Sequence, residues 1–162
     1  YQYIFLLLSG LLVVASIACQ SGGAGAGSDP ASSAAPALAD VVGVAVSGNP
    51  GQYLFAVTIS SPDAGCVAYA DWWEVLSKDG RLRHRRILDH SHVAEQPFTR
   101  ASGPVVVTGD EEVTVRAHMN DRGYGTRAMR GSARGGFVAV DLDVGFGEAL
   151  VNQEPLPTDC AF

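Results

Sequence analysis

Tyr53-Leu54-Phe55-Ala56-Val57-Thr58-Ile59-Ser60 decides the fold class. Tyr53, Phe55, Val57 and Ile59 alternate with Leu54, Ala56, Thr58 and Ser60, the two-residue period of a strand with one face turned to a core. Upstream, Asn49-Pro50-Gly51 is a turn, and Val41, Val42, Val44 and Val46 make a β-branched run before it. Downstream, Ser61-Pro62-Asp63-Ala64-Gly65 breaks the strand.

The same signals recur to the end of the chain. Trp72-Trp73-Glu74-Val75-Leu76 is a third strand, and Lys78-Asp79-Gly80 turns it into Arg81 to Leu88. In that return strand Leu82, His84, Arg86 and Leu88 share one face, and Arg83, Arg85 and Ile87 the other. Val105 to Val107 is a short strand with Pro104 at its start. Glu112 to Met119 alternates, with Val113, Val115 and Ala117 on one side, and Phe137 to Leu142 closes the set. The run from His90 to Gly103 is expected to be a long linker. No stretch shows a sustained helical period. Seven or eight short strands over residues 40–162 specify an all-β chain, an antiparallel β-sandwich.

The segment before the domain is different in kind. Residues 1–18 carry no charge, and Ile4 to Ile17 is apolar except for Ser9, Gly10 and Ser16. That is the length of a signal-peptide apolar region and short for a membrane span. With Tyr1 in first place and no basic segment, the reading is a signal truncated at its start. It ends in Ser16-Ile17-Ala18-Cys19, small residues before a cysteine. Of the twenty residues from Gln20 to Ala39, seventeen are Gly, Ala, Ser or Pro. Such a composition buries too little apolar surface to offset its ordering entropy. Residues 19–39 are therefore expected to be a disordered tether, spanning roughly 25 Å on the random-coil estimate.

The Ser16-Ile17-Ala18-Cys19 motif resembles the lipobox of bacterial lipoproteins, with Ser16 where Leu is usual. The resemblance implies removal of residues 1–18 and acylation of Cys19, which would hold the chain to a bilayer. It implies an exported, membrane-anchored protein. Gln20 in place of Asp points to the outer membrane, cell surface or periplasm. With Cys19 assigned to lipid, Cys66 and Cys160 remain as an even pair in an oxidising compartment. A bridge between them is the expectation, and two unpaired thiols the alternative.

A second resemblance lies in the domain. Val113, Val115 and Ala117, followed by Asn120, Gly123 and Gly125, are similar to the penultimate strand and following loop of fibronectin type III domains. The Trp72-Trp73-Glu74-Val75 strand and its Lys-Asp-Gly turn resemble that fold's third strand and hairpin. The resemblance implies an Ig-like or fibronectin type III-like sandwich and says little about activity. The whole chain looks like the small uncharacterised lipoproteins of bacterial genomes.

Three function classes are consistent with these residues. All 11 basic side chains lie in residues 78–134, which carry +4, between flanks carrying −10. Arg81, Arg83, Arg85 and Arg86 crowd one strand, and Arg127 and Arg130 follow the Val113 strand. One reading is an anion-recognition face for an envelope protein or anionic glycan. The other is that these arginines pair with the acidic flanks inside the fold. A net charge of −6 argues against nucleic acid. The second class is a Cu or Zn protein, in which His90, His92, His118 and Met119 converge. Otherwise no cofactor is expected. An envelope enzyme is the third and weakest class. Asp89-His90-Ser91 has triad residue types without triad spacing, and Gly131-Ser132-Ala133-Arg134-Gly135 misplaces the serine of a nucleophile elbow. Of the two adjacent tryptophans, one belongs in the core. The other either forms a binding surface with Tyr69 and Tyr124 or is covered by residues 94–102.

Overall fold

The alternation of residues 53–60 becomes a strand whose inward side chains are sealed from solvent. Tyr53 is 8% exposed, and Phe55, Val57 and Ile59 are 0% exposed. The computed structural model describes residues 37–161, and the expected signal, Cys19 and most of the tether lie outside the described residues. In chain order the strands are β1 (Asp40–Asn49), β2 (Gln52–Ser60), β3 (Ala70–Ser77), β4 (Leu82–Ile87), β5 (Phe98–Val105), β6 (Val113–Met119), β7 (Gly123–Tyr124), β8 (Arg127–Ser132) and β9 (Gly136–Asp141). A 3₁₀ turn, Glu148–Asn152, follows.

Two antiparallel sheets result. The smaller has the order β1-β2-β5 and the larger β4-β3-β6-β8-β9, with the short β7 on β6. First, second and fifth strands thus stand against third, fourth, sixth, eighth and ninth, an all-β sandwich of two antiparallel sheets. Between the sheets sit Phe55, Val57, Ile59, Trp73, Val75, Phe98, Val113, Val115 and Met119, all buried. Trp73 is thus the core tryptophan. Phe55 meets Phe137 edge-on at 6.0 Å, tying β2 to β9 across the core.

The structure corrects three sequence expectations. There are nine strands among the described residues, not seven or eight. The expected linker contains β5, and Pro104 lies inside that strand rather than at its start. β5 is an edge strand, where a missing N–H is tolerated, and only Phe98 and Val105 along it are buried, so its pattern is faint. β8 was hidden for a similar reason. Its Gly131 is required because a Cβ there would collide with the Gly136 carbonyl across the ladder.

The central strands of the larger sheet, β3 and β6, are buried on both faces. On β3 the outward residues Trp72, Glu74 and Leu76 are 3%, 0% and 0% exposed. Residues 142–161 cross this outer face as a strap. A disulfide pins the strap's far end, Cys66 to Cys160, with a Cα–Cα distance of 5.8 Å. The expected bridge is therefore present. Trp72 is covered by His118, stacked on it at 3.7 Å, and by Arg85, 4.6 Å over its ring, and not by residues 94–102, because Phe98 of that segment belongs to the inter-sheet core.

Candidate functional site: a cavity beneath the C-terminal strap

Glu74 faces outward from the middle of β3, and register places Arg85 of β4 and Arg116 of β6 directly beside it. Arg85 donates from Nε at 2.8 Å and from a terminal nitrogen at 2.6 Å to one carboxylate oxygen. Arg116 donates from Nε at 2.8 Å to the other. One anion then faces two cations, and strap carbonyls take the remaining donors. Arg85 reaches the carbonyls of Leu150, Gln153 and Pro155 at 2.8, 2.5 and 3.1 Å. Arg116 reaches those of Phe146 and, at 2.9 Å, Gly147. Guanidinium suits this task because its five N–H groups fan out in a plane. Gly147 has φ 58°, a left-handed conformation, and a Cβ there would come within 3.2 Å of the Arg116 guanidinium.

Beside this clamp the strap leaves a cavity of about 290 Å³. His118 and Tyr124 line it from the sheet, Arg122 from the β6–β7 turn, and Asp143, Phe146 and Glu148 from the strap. His118 is fixed on three sides. Its Nδ1 lies 2.7 Å from an Asp71 carboxylate oxygen, its ring stacks on Trp72 at 3.7 Å, and Tyr124 meets it edge-on at 4.8 Å. The histidine side chain is only 7% exposed, and its Nε2 has no hydrogen-bond partner among the described residues. A carboxylate only accepts, so the Nδ1 proton is donated to Asp71, and Nε2 is the ring nitrogen left for other partners. Arg116 lies 3.4 Å over the Tyr124 ring. Burial, together with Glu74, pushes the Tyr124 phenol up to about 12, against the pull of Arg116 and Arg85.

The histidines expected to share a metal are separated. His118 and Met119 are neighbours on a strand and so point to opposite faces, Met119 into the core at 0% exposure. His118 is committed to Asp71 and Trp72. His90 and His92 do approach, with ring centroids 4.6 Å apart, but His92 is buried and stacked on Phe98 at 3.8 Å. Neither ring nitrogen of His92 has a partner. Burial, reinforced by Arg100 and His90, holds that imidazole below the ordinary histidine range. His84 is held low as well, by burial and by Arg86, and bonds Ser102 at 2.9 Å. Among the described residues no group of three or more His, Cys, Asp or Glu side chains is placed to hold a metal ion.

The arginines do not form one face. Arg85 is buried in the clamp. Arg81 pairs with Asp79 at 2.8 Å and Arg83 with Glu111 at 2.7 Å. Arg130 bonds the Thr114 hydroxyl at 3.3 Å on the outer face. Arg86 stands opposite Trp73, and Arg127 opposite Asp141, on the other side of the sheet. Asp89, His90 and Ser91 form no triad, since Ser91 accepts from the Gly65 N–H at 3.1 Å and lies 3.5 Å from Asp63.

Asp71, Glu74 and Arg116 went unnoticed in the sequence. A signal was present: Glu74 and Arg116, charges of opposite sign, each sit between apolar residues that face inward, Trp73 and Val75 on one strand and Val115 and Ala117 on the other. Only strand pairing shows that the two charges meet.

Fold and site together define an all-β sandwich whose outer face carries a strapped, polar cavity. No family model matches the chain, and no solved structure matches it. It is similar to a protein of Halomicrobium mukohataei named "Putative lipoprotein", 37% identical over 122 residues, which are 75% of this chain and 55% of that protein. The chain thus spans about half the length of the curated relative it matches.

Proposed function

We propose that the chain is a membrane-anchored envelope lipoprotein whose β-sandwich serves as a binding or accessory module for a protein or glycan ligand. The observation that carries this is the 37% identity to a protein named as a lipoprotein, in a chain with its own lipobox-like Ser16-Ile17-Ala18-Cys19. Acyl chains on Cys19 would contribute roughly 0.8 kcal/mol for each buried CH₂, enough for firm attachment to the outer membrane or cell surface. The two-sheet all-β sandwich supports the module reading, because sandwiches of this architecture host many binding surfaces.

Mass spectrometry of the membrane fraction tests the anchor. The mature N-terminus is expected at Cys19 carrying a diacylglyceryl group, and Cys19→Ser is expected to leave the membrane fraction. An unmodified Cys19 with unchanged fractionation would overturn it. Retention of envelope material on the immobilised protein tests the module, and no retention above an unrelated sandwich would remove it.

A further inference from the structure

The donor and acceptor inventory of the cavity defines what fits it. His118, whose Nε2 has no partner among the described residues, lines it together with the acidic side chains Asp143 and Glu148 and the hydroxyl-bearing Thr126. Both arginines on its wall already have carboxylate partners, although Arg122, with a side chain 43% exposed, keeps free N–H groups. Arg116 is engaged by Glu74 and two strap carbonyls, and Arg122 pairs with Asp121 at 3.0 Å and bonds the Ala37 carbonyl at 3.2 Å. A ligand that brings donors is therefore favoured over one that brings negative charge, since two carboxylates outnumber the one partly engaged guanidinium. Leu142, Phe146 and Val151 add an apolar side to the same wall. Hydroxyl donors on a ring that also has a C–H face describe a sugar.

We propose that the cavity beneath the strap is a subsite for a neutral, polyhydroxylated sugar ring, with His118 Nε2, Asp143 and Glu148 accepting its hydroxyl protons. This rests on the binding-module reading above and names the ligand class of that module. Asp71 acts as a positioning residue, since its hydrogen bond fixes both the ring and the tautomer of His118. The volume of about 290 Å³ is at the low end for small-molecule pockets, which suits one or two rings rather than a long chain bound along its length. Anionic sugars are disfavoured, because a carboxylate or sulfate would face both Asp143 and Glu148, with only Arg122, already paired with Asp121, to offset them.

Calorimetric titration of the full chain in a detergent without sugar headgroups tests this, with glucose, N-acetylglucosamine and glucuronate as probes. At least one neutral sugar is expected to bind with a millimolar Kd, at least tenfold tighter than glucuronate, and to change tryptophan emission, because Trp72 stacks on His118. His118→Phe keeps a ring on Trp72 but removes the acceptor and is expected to weaken binding at least tenfold. Glu148→Gln, on the exposed strap, is expected to weaken neutral sugars several-fold and to narrow the gap to glucuronate. The proposal is overturned if neither neutral sugar produces heat up to about 50 mM, or if glucuronate binds as tightly as they do. If envelope material is still retained by His118→Phe and Glu148→Gln at the level of the unaltered chain, the module stands and the cavity assignment falls.

Discussion

Arg85 and Glu74 form a two-pronged ion pair on the outer face of the larger sheet, with both side chains at 0% exposure. The pair is completed by Arg116, and the strap closes over all three. Breaking such a group by removing one partner is far more costly than its net contribution to stability suggests, because charges are left buried without a counter-ion. Glu74→Ala leaves two guanidinium groups facing each other. It is expected to destabilise the domain by about 3–5 kcal/mol in urea unfolding. A loss below about 1 kcal/mol would show that the strap opens freely and that the arginines find water.

Gly147 lets the strap turn onto Arg116. Gly147→Ala forces a side chain into a left-handed backbone at φ 58°, against the Arg116 guanidinium at 3.2 Å. A cost of about 1–2 kcal/mol is expected, together with faster amide hydrogen exchange in residues 142–155 than in β2 or β6. Equal protection of strap and core in the variant would contradict the clamp.

The disulfide closes a span of 94 residues. In the chain-entropy model that is worth roughly 4–5 kcal/mol, with measured values often lower. Cys66→Ser with Cys160→Ser is expected to lower the denaturation midpoint and to expose the last residues of the strap first, since the Arg85 and Arg116 clamps lie upstream. Limited proteolysis reads the order of release. Cleavage beginning in the β-sheet instead of near Asp159 would show that the bridge supports the core directly.

Stability is expected to fall on the acid side of neutrality. His92 and His84 are held below the ordinary histidine range, chiefly by burial. Around His92, Arg100 and His90 add to that shift and Asp63 and Glu95 oppose it; around His84, Arg86 adds to it. The unfolded chain takes up these protons near pH ~6.5 and the folded chain only at lower pH. The folded state therefore keeps its full stability above ~6.5 and loses it as pH falls below, by at most about 1.4 kcal/mol per pH unit for each histidine. His92→Phe, placed against Phe98, removes one of these protons and is expected to flatten the profile between pH 7 and 5. An unchanged slope in that variant would assign the acid sensitivity elsewhere.

How far the sequence carries depends on the range of the interaction. The alternation of Tyr53 to Ile59 and of Val113 to Ala117 is a local consequence of strand geometry, and it identifies the sandwich and much of its core. The bridge between Cys66 and Cys160 follows from counting, once an exported chain is assumed. β5 and β8 escape because edge position and glycine contacts, not apolar periodicity, hold them in place. The site escapes for a related reason. Asp71 and His118 are 47 residues apart, Glu74 and Arg116 are 42 apart, and only the register of β3 against β6 makes them partners.

By itself, then, the sequence determined an all-β domain and a pair of cysteines, because solvent exclusion and residue counting act without knowledge of neighbours. The tertiary structure alone decided what the charged residues do. Arg85, which read as part of a surface, became with Arg116 a clamp on the C-terminal strap, and a histidine expected beside a metal became a ring held by Asp71 and Trp72 at a cavity wall. The physical reason is that a charge or an imidazole is defined by its partner, and strand pairing chose those partners from distant parts of the chain.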